Sequence, residues 1–163
     1  MLLAEHSGMK STGRSIVPDK WIAGITAVYH WLDKAAPLSD LLIRLWVANA
    51  FFQSGLTKIA SFDTTIQLFT YEYMVPFLPP TVAAVLGTFV ELVFPVLLAL
   101  GLATRPAAAV LFIFNIIAVI SYPELMGAGL RDHQLWGMLL LAPLLRGPGA
   151  LSLDHWLSKW FRR

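Results

Sequence analysis

Cysteine is absent from the 163 residues, so no disulfide relay, thiolate metal site or cysteine-held iron–sulfur cluster can form on this chain. Charge is also scarce. Only 13% of residues are Asp, Glu, Lys or Arg, where a soluble domain carries about 25%. The first twenty residues hold no apolar h-region, so no cleavable signal peptide is expected and the spanning helices must serve as their own insertion signals. A net charge of +2 is too small to suggest nucleic acid; the bases read instead as topology signals and contacts to anionic lipid. Hydrophobic residues make up 57% of the chain and fall into four long runs. The length allows one bundle and no second soluble domain.

Residues 83–102 organise the rest: twenty nearly unbroken apolar residues with one carboxylate, Glu91, at their centre. At about 1.5 Å per residue they reach about 30 Å, the thickness of a bilayer's hydrocarbon core. An acid at that depth is destabilising unless paired, protonated or hydrated, which makes it a functional-site candidate by default. Pro95, four residues on, removes the hydrogen bond that the Glu91 carbonyl would accept.

Residues 1–18 are polar and expected to be disordered. Over 19–36, Trp21, Ile25, Val28 and Leu32 recur at helical spacing, which predicts a helix lying along the interface and ended by Pro37, with Ser39 or Asp40 capping the next. The first span is predicted at about 40–60, with Arg44, Ala48, Phe51, Gly55 and Lys58 on one face. Residues 61–80 are too polar to cross and are expected on the outer surface, where Pro76, Pro79 and Pro80 stop any helix. The second span is the central stretch. Residues 103–106 are so short a link that the third span, about 106–122, must be its antiparallel neighbour. A fourth, 132–146, would reach only about 22 Å, so either the bilayer thins locally or the helix starts below the outer surface, in which case Asp132, His133 and Gln134 sit in a recess at a helix N-terminus. Leu153, Trp156, Leu157, Trp160 and Phe161 form a closing interfacial stripe. The expected fold is therefore all-α: an antiparallel bundle of four transmembrane helices over 39–151, with interfacial helices within 1–38 and 152–163.

Nine bases lie on one side of these spans, and only Lys58 and Arg131 border the other, so both termini are expected in the cytoplasm. Counting depth by helical rise then puts Gln53, Asn115 and Glu91 in the outer half, with Arg44 deeper but long enough to reach toward Glu91. Lys58 and His133 fall near the outer rim. A cavity opening outward is the natural inference.

With this pattern in view, the chain resembles the DoxX family of small four-helix membrane proteins. The matching stretches are LLIRLWVANAFFQSGLTKIA, GTFVELVFPVLLALGLATRPAA, DHQLWGMLLL and GPGALSLDHWL, over roughly 40–156. The forms SGLTKIASFDTT, YEYMVPFLPP and ISYPEL look most like a subgroup encoded beside non-haem iron oxidases that modify copper-binding peptides, the bufferins. That resemblance implies a role in copper or other metal stress. Family members are associated with a thiosulfate:quinone oxidoreductase, and others resemble membrane anchors for soluble redox enzymes. No family-wide catalytic mechanism carries over.

From the residues, Glu91 with Arg44 is either a proton-handling pair beside a quinone or other small ligand, or an ion pair that fixes helix register. His133 could exchange a proton with a quinone carbonyl or bind a metal. His6, His30 and His155 all belong to the cytoplasmic side, so no haem is expected. Copper(I) could use Met74 and Met126 with His133, but five scattered methionines favour packing. Gln53, Lys58, Asn115, Asp132, Gln134 and Trp136 are the candidate ligand-binding residues, although a lysine at a helix end ordinarily snorkels to the headgroups and Trp136 could simply pack. Trp21, Trp31, Trp156 and Trp160 read as interfacial belt, and Gly55, Gly87 and Gly137 as close helix contacts.

Three readings follow for an inner-membrane protein in contact with the bilayer and a protein partner, with a homo-oligomer also compatible. It is a quinone-associated redox subunit using Glu91, Arg44 and His133, a non-catalytic anchor or assembly factor for metallophore-peptide machinery, or a small permeation component for a metal or peptide. Whether the chain is an enzyme stays open at this point.

Overall fold

The computed structural model describes residues 19–162; the expectation of disorder over 1–18 lies outside them. Among the described residues the chain forms six helices and no strand: α1 (Asp19–Ala60), α2 (Phe62–Tyr71), α3 (Pro80–Leu100), α4 (Thr104–Ser121), α5 (Ala128–Arg146) and α6 (Leu153–Phe161). Three of these, α1, α3 and α4, are long and apolar enough to cross a membrane. The described residues divide into two units, with the boundary between Lys34 and Ala35.

In the first unit, the described turns of α1 expose Trp21, Ile25, Val28 and Leu32, and Lys34 Nζ lies 5.4 Å from the centre of the Trp31 ring. Pro37 does not end the helix as expected; it sits inside α1. A proline removes one N–H from the ladder and is tolerated in long apolar helices where the neighbouring bonds persist. Ser39, instead of capping a new helix, donates its hydroxyl to the Ala36 carbonyl at 2.8 Å.

The second unit is built on one face of α1. Arg44, Val47, Ala48, Phe51 and Gly55 are buried at spacings of three and four, the stripe a 3.6-residue period produces. Val47, Ala48 and Phe51 share one core with Leu98 of α3, Ala107, Ala108 and Leu111 of α4, and Leu140 of α5. The small residues matter most here. Apolar helices gain little from leaving lipid, so close backbone approach and van der Waals contact carry their association.

Helix ends follow local chemistry. Pro80 sits in the first turn of α3, where its missing N–H has no role. At the other end Gly101 (φ 69°) turns left-handed, and the Leu102 N–H returns to the Leu97 carbonyl at 2.9 Å, a Schellman closure. The α2 helix occupies part of the stretch expected to hold none. It ends at Tyr71, before Pro76, and packs Phe69 against Ala83 and Ala84 of α3.

The beginning of α5 also differs from expectation. The helix starts at Ala128 behind Gly127 (φ 63°), four residues earlier than predicted, and reaches about 28 Å over its 19 residues. Asp132, His133 and Gln134 therefore lie beyond the first turn, not at a dipole-bearing N-terminus.

Candidate ligand cavity

Glycine brings two helices together at the buried acid. A Cβ on Gly55 of α1 would stand 2.9 Å from Leu92 Cδ2 and 3.1 Å from the Glu91 carbonyl carbon. The α1 backbone can therefore approach α3 only because residue 55 has no side chain. Ser54 and Lys58, which flank Gly55 on α1, then meet Glu91. Ser54 Oγ donates to Glu91 Oε1 at 3.0 Å, and Lys58 Nζ donates to the same oxygen at 2.8 Å while lying 2.6 Å from Oε2. Lys58 Nζ also donates to Ser54 Oγ at 2.9 Å. Glu91 is 5% exposed. In so dry a setting, removing one partner of the pair leaves an uncompensated charge, an effect of about 3–5 kcal/mol.

This arrangement corrects two expectations. Lys58 does not snorkel to a headgroup, and Arg44 does not reach Glu91. Arg44 is buried toward the far end of α3, where Nη1 donates to the Leu98 carbonyl at 3.3 Å and Nη2 to the Leu151 carbonyl. Leu98 lies about 10 Å along the helix from Glu91. The guanidinium instead satisfies carbonyls at the negative end of the α3 dipole.

A second polar pair forms across α4 and α5. Asn115 Nδ2 donates to the His133 backbone carbonyl at 2.9 Å, and Asn115 Oδ1 lies 2.7 Å from His133 Nδ1. A carbonyl can only accept, so the amide orientation is fixed and Oδ1 must be the acceptor of the second bond. His133 Nδ1 therefore carries a proton, and in the neutral ring Nε2 is the free acceptor. Gly137, whose Cβ would stand 3.3 Å from Asn115 Nδ2, makes room for the amide.

Between these pairs lies a cavity of ≈ 250 Å³. Glu91, Lys58, Ser54, His133 and Trp136 line it, with Phe51, Phe69, Tyr73, Phe114 and Tyr122 supplying aromatic walls. The aromatic surfaces are mutually braced: Phe51 to Trp136 at 5.7 Å, His133 to Trp136 at 4.9 Å and Tyr73 to Tyr122 at 5.1 Å between ring centres. Leu78, Leu86 and Ile117 line the cavity and are also exposed, so its rim is apolar. Chemically, the site can hold a flat ring and offer it a cation, an acid–base pair and an imidazole.

Of the residues singled out in the sequence, Glu91, Lys58, His133 and Trp136 meet at this cavity. Asn115 is buried behind His133 and does not line it. Gln53, Asp132 and Gln134 are exposed and do not line it; Asp132 belongs to a shallower groove with Leu42, Trp46 and Asn49. Met74 and Met126 are exposed, so neither packs in the core nor lines the cavity beside His133. Sequence reasoning missed Ser54, Tyr73, Ser121 and Tyr122. Ser54 was accessible, because 51, 54 and 58 share a helix face; nothing in the spacing signalled the others.

A separate polar knot joins α6 to the turn between α3 and α4. The Asp154 carboxylate accepts from the Ala103 N–H, the Thr104 N–H and Thr104 Oγ1, each at 2.8 Å, and the Asp154 N–H donates to the Gly101 carbonyl at 2.9 Å. Asp154 thereby caps α4 from a distance. Burial pushes its carboxyl up, but the Thr104 and Ala103 hydrogen bonds outweigh that and hold it below the usual range.

The DoxX family model matches residues 39–123. The chain is 34% identical over 143 residues to Inner membrane protein YphA of Escherichia coli (strain K12), covering 80% of this chain and 98% of that protein. It is 30% identical over 131 residues to a Bacillus subtilis (strain 168) protein named "Putative oxidoreductase CatD", covering 78% of this chain and 93% of the relative. No solved structure matches.

Proposed function

This chain belongs to the DoxX family of membrane proteins, and from that premise we propose that it is a quinone-binding subunit of a membrane redox system. The observation that carries the reading is the buried Glu91–Lys58 pair facing an aromatic-walled cavity instead of packed side chains. A volume of ≈ 250 Å³ suits a single substituted ring, since an apolar cavity of about 150 Å³ accommodates benzene. The apolar rim at Leu78, Leu86 and Ile117 suits a guest that arrives dissolved in lipid. The name of the Bacillus subtilis relative points the same way.

In this reading the protein spans the membrane four times, α5 being the fourth span, with both termini in the cytoplasm as the nine bases on that side favour. Reduction of a quinone to its quinol takes two electrons and two protons. The electrons come from a partner redox enzyme; the cavity residues handle the protons. Lys58, held by Glu91 and Ser54, donates to one ring oxygen and supplies it with one proton, while His133, whose Nδ1 is held by Asn115, takes up a proton at Nε2 from water and passes it to the ring as the second. Trp136 and Phe51 hold the ring flat.

The test is quinone binding by the protein in lipid nanodiscs, followed through quenching of tryptophan fluorescence. The double variant Glu91→Leu, Lys58→Met removes both charges together and is expected to weaken binding at least about tenfold. Unchanged affinity would sink the reading.

The metal-stress setting rests on the resemblance of SGLTKIASFDTT and YEYMVPFLPP to the bufferin-associated subgroup. There the protein acts as the membrane component beside the peptide-modifying oxidase. If it serves only as an anchor, the same double variant will recruit its partner as well as the wild type does. The aromatic lining favours an uncharged ring over a permeating metal ion.

A further inference from the structure

We propose that Ser121 is a ligand contact, the second pole of a cavity that grips a ring at both ends. This rests on the ring-binding reading above and adds to it which molecules qualify: rings that carry a hydrogen-bonding oxygen on opposite sides.

Ser121 is the last residue of α4, 3% exposed, and its hydroxyl has no hydrogen-bond partner although it lines the cavity. A serine or threonine in a helix ordinarily returns its hydroxyl to the carbonyl four residues back. Thr57, Thr70 and Thr88 all do so here, the last at 2.7 Å. Ser121 does not. Its backbone is held in place, because the Met74 N–H donates to the Ser121 carbonyl at 2.7 Å. A fixed, buried hydroxyl left unpartnered beside empty space is destabilising unless something fills the space and completes the bond.

The position fits that role. Ser121 lies six residues along α4 from Asn115, which holds His133, and so stands about 9 Å further along the helix axis. A single ring with an oxygen at each end, and a hydrogen bond of about 2.8 Å at each oxygen, is of that size. The near oxygen accepts from Lys58, which Glu91 holds in place; the far oxygen accepts from Ser121 Oγ in the part of the cavity that Tyr73 and Tyr122 also line.

Two probes separate this idea from the cavity reading itself. One is a benzoquinone with a ten-carbon tail; the other is a phenol with the same tail, which has one ring oxygen. Both are titrated against the full chain in nanodiscs. Ser121→Ala should weaken the benzoquinone about five- to tenfold and leave the phenol within about twofold, while Ser121→Thr, which keeps the hydroxyl, should restore the benzoquinone. An unchanged benzoquinone affinity in Ser121→Ala, with a loss in Glu91→Leu, Lys58→Met, overturns the second pole and leaves the cavity reading standing. Equal losses for both probes, or no recovery in Ser121→Thr, mean that only packing was disturbed and also overturn it. Failure of the wild type to bind benzoquinone at all overturns both.

Discussion

Two places in the second unit bury charge, and they are built differently. At Glu91, Lys58 and Ser54 both donate to Oε1, Oε2 is left to the ion pair alone, and the group stands against open space. Toward the other end of α3, Arg44 gives Nη1 and Nη2 to the carbonyls of Leu98 and Leu151, its Nε staying unpartnered, and the Asp154 oxygens accept from the start of α4. The first region sets its charged groups beside open space; the second uses most of its polar atoms in holding chain segments together. A charge buried among apolar helices thus marks a site only when room for a guest lies beside it.

The largest effect that would sharpen this contrast is at Glu91. Glu91→Leu should lower stability by about 3–5 kcal/mol, because it strands the Lys58 ammonium, and Lys58→Met in the same chain should recover most of that. Thermal unfolding in nanodiscs reads the recovery, and ligand titration should show that binding does not return with it. If single and double variants unfold alike, the two side chains are not coupled.

Arg44→Met comes next. It leaves buried carbonyls unpaired and should cost about 2–3 kcal/mol by the same measurement, with ligand affinity of the folded protein held within about twofold. Loss of binding at unchanged stability would reverse the comparison.

Asp154→Ala should cost about 1–2 kcal/mol, as loss of a helix cap does, and amide hydrogen exchange at Ala103 and Thr104 should quicken while amides around Glu91 stay protected. The smallest effect is on pH. Because the folded carboxyl titrates lower than the unfolded value of about 3.9, its contribution is complete above that value and is lost as pH falls through the lower, folded one. Asp154 should therefore add no pH dependence between about pH 5 and 8. Asp154→Asn should remove the acid-induced loosening of α6, seen as a flattened exchange profile below about pH 4.

How far the sequence could be read differed sharply along the chain. The inward stripe Arg44, Ala48, Phe51, Gly55 follows from the helical period alone and is buried as expected. Gly55 and Gly137 read as close contacts and are. The start of α5 is not legible, because Ala128, Gly129 and Leu130 give no strong helix signal, yet Gly127 at positive φ launches the turn. Gln53 has the polarity and depth of a lining residue and Asp132 the place of a helix-start residue, yet both are exposed. Depth along a helix is fixed by residue number; direction around it depends on neighbours.

By itself the sequence determined that this chain is apolar, helical and able to cross a membrane, and that one acid lies deep within a long apolar helix. Those properties depend on composition, on the 1.5 Å rise and on a 3.6-residue period, all of which are local. Only the tertiary structure decided that Lys58 and not Arg44 answers Glu91, that Asn115 bonds His133 from behind the cavity, and that the Ser121 hydroxyl is left without a partner. These depend on the register of one helix against the next. That register is set where a missing Cβ lets two backbones touch, and by how far the long side chains on either side can then reach.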